Sequence, residues 1–131
     1  MKVFLKSLLR PGISGEQKRI YARIRPAVEA WVREKGYHKP LATVEEIAAD
    51  IGVPPEQLGP CIRVLAGQSL LSWRKTLRIE DAKVLLTEHP ELPVATVARM
   101  VGIDDKSNFR KQFTEETGMS PRAWRARTAG R

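Results

Sequence analysis

The chain has 131 residues, 42% of them hydrophobic and 29% charged, with 23 Lys/Arg against 15 Asp/Glu and a net charge of +8. That length holds one domain or two small ones sharing a core, and the charge favours an anionic partner, nucleic acid or acidic lipid. A single cysteine, Cys61, excludes an internal disulfide framework and fits a reducing cytoplasm, and no apolar run reaches the roughly 18 residues of a membrane span.

The start, MKVFLKSLLRPG, has the outline of a signal peptide, but Lys6 and Arg10 interrupt its apolar stretch. It reads as a basic, weakly amphipathic arm, with a surface-binding helix as the other reading. Residues 1–42 carry ten Lys/Arg against three Glu, residues 43–68 one against four, and residues 90–131 eight against five. The basic surplus therefore lies at the two ends, and the stretch after the arm is acidic.

Ser14-Gly15-Glu16-Gln17 has capping-box spacing, and Ile20, Ile24, Val28, Trp31 and Val32 follow at helical intervals. A first helix should run to about Lys35, with a kink or a restart at Pro26. Tyr37 to Leu41 is a connector. Thr43-Val44-Glu45-Glu46 is a second capping box, opening a short helix with Ile47, Ala48 and Ile51 inward and Gly52 at its turn. Pro54-Pro55 begins another helix ending before Gly67. From Ser69 a long amphipathic helix carries Leu70, Trp73, Leu77, Ile79, Ala82, Leu85 and Leu86 to His89-Pro90. Arg74 and Arg78 on it should pair with neighbours such as Glu80 or Asp81. Trp31, Trp73 and Trp124 sit on apolar stripes and read as core.

The most informative stretch is Pro93 to Arg125. A short helix, about Val94 to Met100, and a turn at Val101-Gly102-Ile103 precede a helix from about Asp105 to Glu116, ended by Gly118. This is a helix-turn-helix pattern, whose second helix can lie in a DNA major groove. At about 100° per residue, Phe109 and Phe113 share one face. Ser107, Lys111 and Thr114 lie opposite, with Arg110 on the flank and Lys106 at the N-terminal end. Ser120-Pro121 caps a last short helix holding Trp124.

The chain repeats itself. Ile47-Ala48, Ile51 and Gly52 recur fifty residues later as Val97-Ala98, Val101 and Gly102. After one extra residue, Leu58, Ile62, Gly67, Ser69 and Trp73-Arg74 match Phe109, Phe113, Gly118, Ser120 and Trp124-Arg125. The expected fold is all-α: two helix-turn-helix subdomains joined by a long central helix and preceded by a basic N-terminal helix. Its domains are an arm and helix over 1–42, a DNA-binding region over 43–127 (43–68, 69–89 and 90–127) and a short tail. A twenty-residue linker helix spans roughly 30 Å, close to the roughly 34 Å between successive major-groove turns. The competing reading is a helical bundle that serves as a protein-interaction module.

From about Thr43 to Arg125 these residues resemble the C-terminal DNA-binding domain of the AraC/XylS family of bacterial transcription regulators. The resemblance is carried by TLRIEDAKVLL (Thr76 to Leu86) and by VARMVGIDDKSNFRKQFTEETGMSPRAWR (Val97 to Arg125). Val97-Ala98, Gly102-Ile103, Ser107-Asn108-Phe109, Phe113 and Gly118-Met119-Ser120-Pro121 occupy the places of the family signature, with Ile103 for the usual Phe. The resemblance implies a regulator that contacts double-stranded DNA through two recognition helices, with RNA polymerase as a further candidate partner. It places Lys106, Ser107, Arg110 and Lys111 at base-contacting positions. Arg and Lys suit guanine O6/N7, and Ser can donate or accept.

The first unit departs from that pattern. Its equivalent outward positions are Pro55, Glu56, Gly59, Pro60 and Arg63. Proline inside a helix costs about 3 kcal/mol and glycine about 1, so Gly59-Pro60 should kink or shorten this helix. Neither can hydrogen-bond a base through its side chain. The first unit is therefore expected to act mainly as scaffold. Arg63, Thr114, Arg122 and Arg125 are candidate phosphate contacts, and Arg127, Lys18, Arg19, Arg23 and Arg25 could also meet phosphates.

His38, His89 and Cys61 are isolated, with no zinc-ligand spacing, no phosphate-cradling glycine loop and no nucleophile–base arrangement. Neither an enzyme nor a cofactor is expected. Family members usually add an effector-binding or dimerising domain, and about forty-two residues before the first unit are too few for one. The chain is expected to be either a stand-alone DNA binder or part of a longer regulator. The basic arm would suit the cytoplasmic flank of an upstream sensor or membrane segment.

Overall fold

The computed structural model describes residues 12–129, and every regular element among them is helical. The basic arm expected at the start of the chain lies outside the described residues. Ser14 builds the first helix, α1 (Gly15–Arg33). Its hydroxyl accepts from the Gln17 N–H at 3.1 Å, and Gln17 Oε1 accepts from the Ser14 N–H at 3.0 Å. Two otherwise unpaired donors are thereby satisfied. Pro26 does not end or restart α1 but sits inside one continuous helix. Pro26 and Ala22 are both exposed, so the carbonyl deprived of its donor lies on the solvent side.

A single 3-10 turn, Gly36–His38, leads to α2 (Val44–Ile51), α3 (Pro55–Ala66), α4 (Leu70–Glu88), α5 (Val94–Met100), α6 (Lys106–Thr117) and α7 (Pro121–Thr128). The second capping box forms only by half. Thr43 accepts from the Glu46 N–H at 3.1 Å, but Glu46 Oε2 reaches past Thr43 to the Ala42 N–H at 3.0 Å. Nor is α3 shortened by Gly59-Pro60. It runs unbroken for 12 residues with Pro60 and Glu56 on its exposed side, where water can serve the freed carbonyl.

Contacts divide the chain into two units. Among the described residues, the first takes those up to Gly36 together with Leu41–Trp73; the second takes Tyr37–Pro40 and those from Arg74 on. In the first unit α1, α2 and α3 pack on one another. Tyr21, Ile24, Val28 and Val32 of α1, Ile47 and Ala48 of α2, and Leu58, Cys61, Ile62 and Leu65 of α3 are all buried. Trp31 and Trp73 lie with ring centroids 6.4 Å apart, and the Trp31 indole N–H donates to Asp50 Oδ2 at 3.0 Å.

The second unit buries Ile79, Ala82, Leu86, Val97, Ala98, Val101, Ile103, Phe109 and Phe113 as one cluster. Trp124 is only partly buried. Its ring stands 6.0 Å from that of Phe113, with Lys83 Nζ 5.2 Å from its centroid. Ile103, standing where the family signature has Phe, is 3% exposed and does fill the core. Fully burying a side chain such as Phe113 stabilises the fold by roughly 1.5–3 kcal/mol.

The residues expected as a plain connector are the surprise of this unit. Tyr37 is fully buried, and its hydroxyl donates to Asp81 Oδ2 at 2.7 Å. His38 Nε2 stands 2.7 Å from the same oxygen. Arg78 is structural, as expected, but through the connector backbone: Nε donates to the Tyr37 carbonyl and Nη2 to that of Lys39, at 2.6 and 2.8 Å. Glu80 pairs with Lys83 at 3.0 Å. Burial first, then the Asp81 carboxylate, drives the Tyr37 phenol far above its ordinary range. Burial, with Arg74 nearby, pulls the Arg78 guanidinium down to about 10, so it keeps its charge at neutral pH.

Candidate nucleic-acid interface

The helix α6 is set by its two ends. Asp105 caps it, its carboxylate accepting from the Asn108 N–H at 3.0 Å, and Gly118 closes it in the left-handed conformation at φ 82°. Between them Phe109 and Phe113 are both fully buried, their rings 5.8 Å apart. Those two anchors fix the rotation of the helix. Lys106, Ser107, Arg110, Lys111 and Thr114 are consequently all exposed.

Two hollows flank this face. A cleft of about 830 Å³ opens between the starts of α5 and α7 and the first half of α6. Its apolar floor includes Pro93, Val94, Ala95, Pro121 and Ala126, and Lys106, Arg110, Arg122 and Arg125 supply its cations. A shallower depression of about 420 Å³ is lined by Ser107, Arg110, Lys111, Thr114 and Glu115. Arg110 lines both. Positive side chains gathered at the starts of α6 and α7 make a surface suited to anions.

Not every candidate presents itself in the same way. Lys106, Ser107, Arg110 and Lys111 gather on one surface, and Arg122 is exposed in the first turn of α7. The Thr114 hydroxyl donates back to the Arg110 carbonyl at 2.8 Å, so that it can offer a partner only its acceptor capacity. Arg125 is turned toward the end of α4, its Nε donating to the Leu86 carbonyl at 3.2 Å and Nη2 to that of His89 at 3.3 Å. In the first unit Arg63 is exposed in the last turn of α3, where Pro55, Glu56 and Pro60 are also exposed. Pro54 makes no side-chain cap bond there.

What sequence reasoning missed is the Tyr37–His38–Arg78–Asp81 cluster. The available signal was register. Arg78 and Asp81 fall on the inward stripe of α4 beside Leu77 and Ala82, and charged residues in that position need partners. Among the described residues no group of His, Cys, Asp or Glu is placed to hold a metal ion, and no helix is long and apolar enough to cross a membrane.

A helix-turn-helix domain family matches residues 47–127. The arabinose operon regulatory protein of Escherichia coli is 40% identical over 83 residues, covering 63% of this chain and 28% of that protein. The HTH-type transcriptional activator RhaR of Cronobacter sakazakii is 36% identical over 63 residues, 48% of this chain and 22% of its own. The chain thus spans under a third of the length of these curated relatives. Among solved structures, the DNA-binding domain of the global transcriptional factor AdpA in complex with a target DNA is similar. Its TM-score is 0.68 at 27% identity, covering 79% of this chain and 90% of that one. The C-terminal domain of AraT, a response regulator from Geobacillus stearothermophilus, gives 0.65 at 27% identity, covering 88% of each.

Proposed function

The chain belongs to the AraC/XylS family of helix-turn-helix proteins, and on that premise we propose that it binds double-stranded DNA sequence-specifically as a transcription regulator. It reads the major groove mainly through α6. Lys106, Arg110 and Lys111 donate to guanine edges, and Ser107 donates or accepts according to the base. Arg63, Thr114, Arg122 and Arg125 meet phosphates and set the register. The first unit acts mainly as scaffold, because Glu56, Gly59 and Pro60 give its outward face no matching donors. RNA polymerase is a further partner in this reading, as is a sensor or membrane segment in a longer chain. No catalytic step belongs to it.

The observation that carries the reading is the division of α6. Two fully buried phenyl rings lock one face, and Lys106, Ser107, Arg110, Lys111 and Thr114 are exposed on the rest of the helix. Fluorescence anisotropy with random duplex at about 50 and about 200 mM salt tests it first. Three cationic phosphate contacts, Arg63, Arg122 and Arg125, at about 0.9 each in log–log slope should weaken binding roughly fortyfold between the two. Salt-insensitive or absent binding would instead favour the protein-interaction module, to which the Gly59-Pro60 face of α3 lends itself. On a duplex selected from a random library, Arg110→Ala should lose about 1–3 kcal/mol. Glu56→Ala should lose little, and equal losses would contradict the division between the units.

A further inference from the structure

The two copies of the helix-turn-helix share a turn but not its surroundings. Gly52 and Gly102 both hold left-handed backbone, at φ 90° and 97°. Beyond Gly52 a Cβ would meet nothing within 4 Å. Beyond Gly102 it would lie 2.3 Å from the His38 carbonyl oxygen and 3.0 Å from Arg78 Nη2. The turn that aims α6 is thus pinned from outside, and its twin in the first unit is open.

We propose that Tyr37–Pro40, a strap outside the matched helix-turn-helix segment, is the positioning element for base reading by α6. It acts through Arg78 and the Gly102 turn. The guanidinium of Arg78 is buried, grips two carbonyls of the strap, and lies against Gly102. The strap in turn is fixed by the Tyr37 hydroxyl on Asp81. Strap, α4 and turn therefore form one wedged layer. The turn's own bonds, Ile103 N–H to the Ala98 carbonyl at 2.9 Å and Gly102 N–H to that of Arg99 at 3.0 Å, lie directly against it. A reading helix needs its donors held within a fraction of an ångström, and a wedge against the preceding turn supplies that where a solvent-facing turn would not. The unit so wedged is the one whose outward face carries donors for bases.

Two mild variants of the full chain test this. Tyr37→Phe removes one hydroxyl and keeps the ring, and Arg78→Lys keeps the charge and loses the fork that spans two carbonyls. In amide hydrogen exchange, Val101, Gly102 and Ile103 should exchange about tenfold faster in either variant, while Trp124 in α7 stays near wild type. The ratio of affinity for a selected duplex to that for random duplex should also fall about tenfold, with the salt slope on random duplex unchanged. Unaltered exchange at the turn would overturn the proposal. So would uniform acceleration through α5, α6 and α7, which marks plain destabilisation, or a loosened turn with an unchanged affinity ratio. The binding arm rests on the DNA reading above. The exchange arm does not, and a wild-type chain that ignores DNA would sink that reading separately.

Discussion

Gly52 and Gly102 adopt the same backbone for one reason and tolerate substitution differently for another. A left-handed residue with a Cβ costs roughly 1–2 kcal/mol, so Gly52→Ala should lower stability by about that much. Gly102→Ala adds a Cβ 2.3 Å from a backbone oxygen, and its loss should be at least double, read from urea midpoints. Arg125 is a second residue whose role turns on its neighbours. Its bonds to the Leu86 carbonyl of α4 and to the His89 carbonyl just beyond that helix make Arg125→Ala a stability variant, with a loss of about 1 kcal/mol. At Cys61, burial pushes the thiol up to about 11 against a lowering by Arg25. The unfolded thiol ionises near 9.0, so between pH 9 and 11 the unfolded chain sheds a proton that the folded chain keeps. That part of stability is lost as pH rises. Cys61→Ala should flatten this slope, and a slope equal to wild type would contradict it.

At the scale of elements, α3 and α6 are 12-residue copies that spend their outer faces differently. Both bury two large side chains at matching places, Leu58 and Ile62 in one and Phe109 and Phe113 in the other. The outer face of α3 carries Pro60 in mid-helix, which survives because the orphaned carbonyl faces water. Restoring the donor with Pro60→Ala should therefore raise stability by roughly 1–3 kcal/mol. Gly59→Ala should add about 1 more, since nothing within 4 Å opposes its Cβ. Thermal midpoints of the two variants measure this. A fall in either would mean that the irregular sequence is matched to a conformation the helix needs.

For the whole molecule the relevant quantity is charge and where it sits. A net +8 guarantees attraction to polyanions without choosing among them. Choice requires cations held beside groups that read bases, and in the proposed reading Arg122, at the head of α7, has that place, sharing one cleft with Lys106 and Arg110. Arg122→Ala should reduce the slope of log affinity against log salt by about 0.9 and weaken selected and random duplex alike. A loss confined to the selected duplex would place Arg122 among the reading residues instead.

The helices, their caps and the internal repeat were legible in the residues because they depend on local rules. Ser14 and Ser120 cap; Gly52, Gly67 and Gly118 terminate; Phe109 and Phe113 recur one turn apart. The outward set on α6 followed from the same periodicity. Three features needed the folded chain: the burial of Tyr37, the grip of Arg78 on two carbonyls, and the turn of Arg125 toward α4. Each joins residues about forty positions apart, and no periodicity links a connector to the helix it will pack against. Local sequence set which segments coil and which faces turn inward. Tertiary packing alone decided which polar groups would be enclosed, since a buried charge is tolerated only where distant backbone happens to meet it.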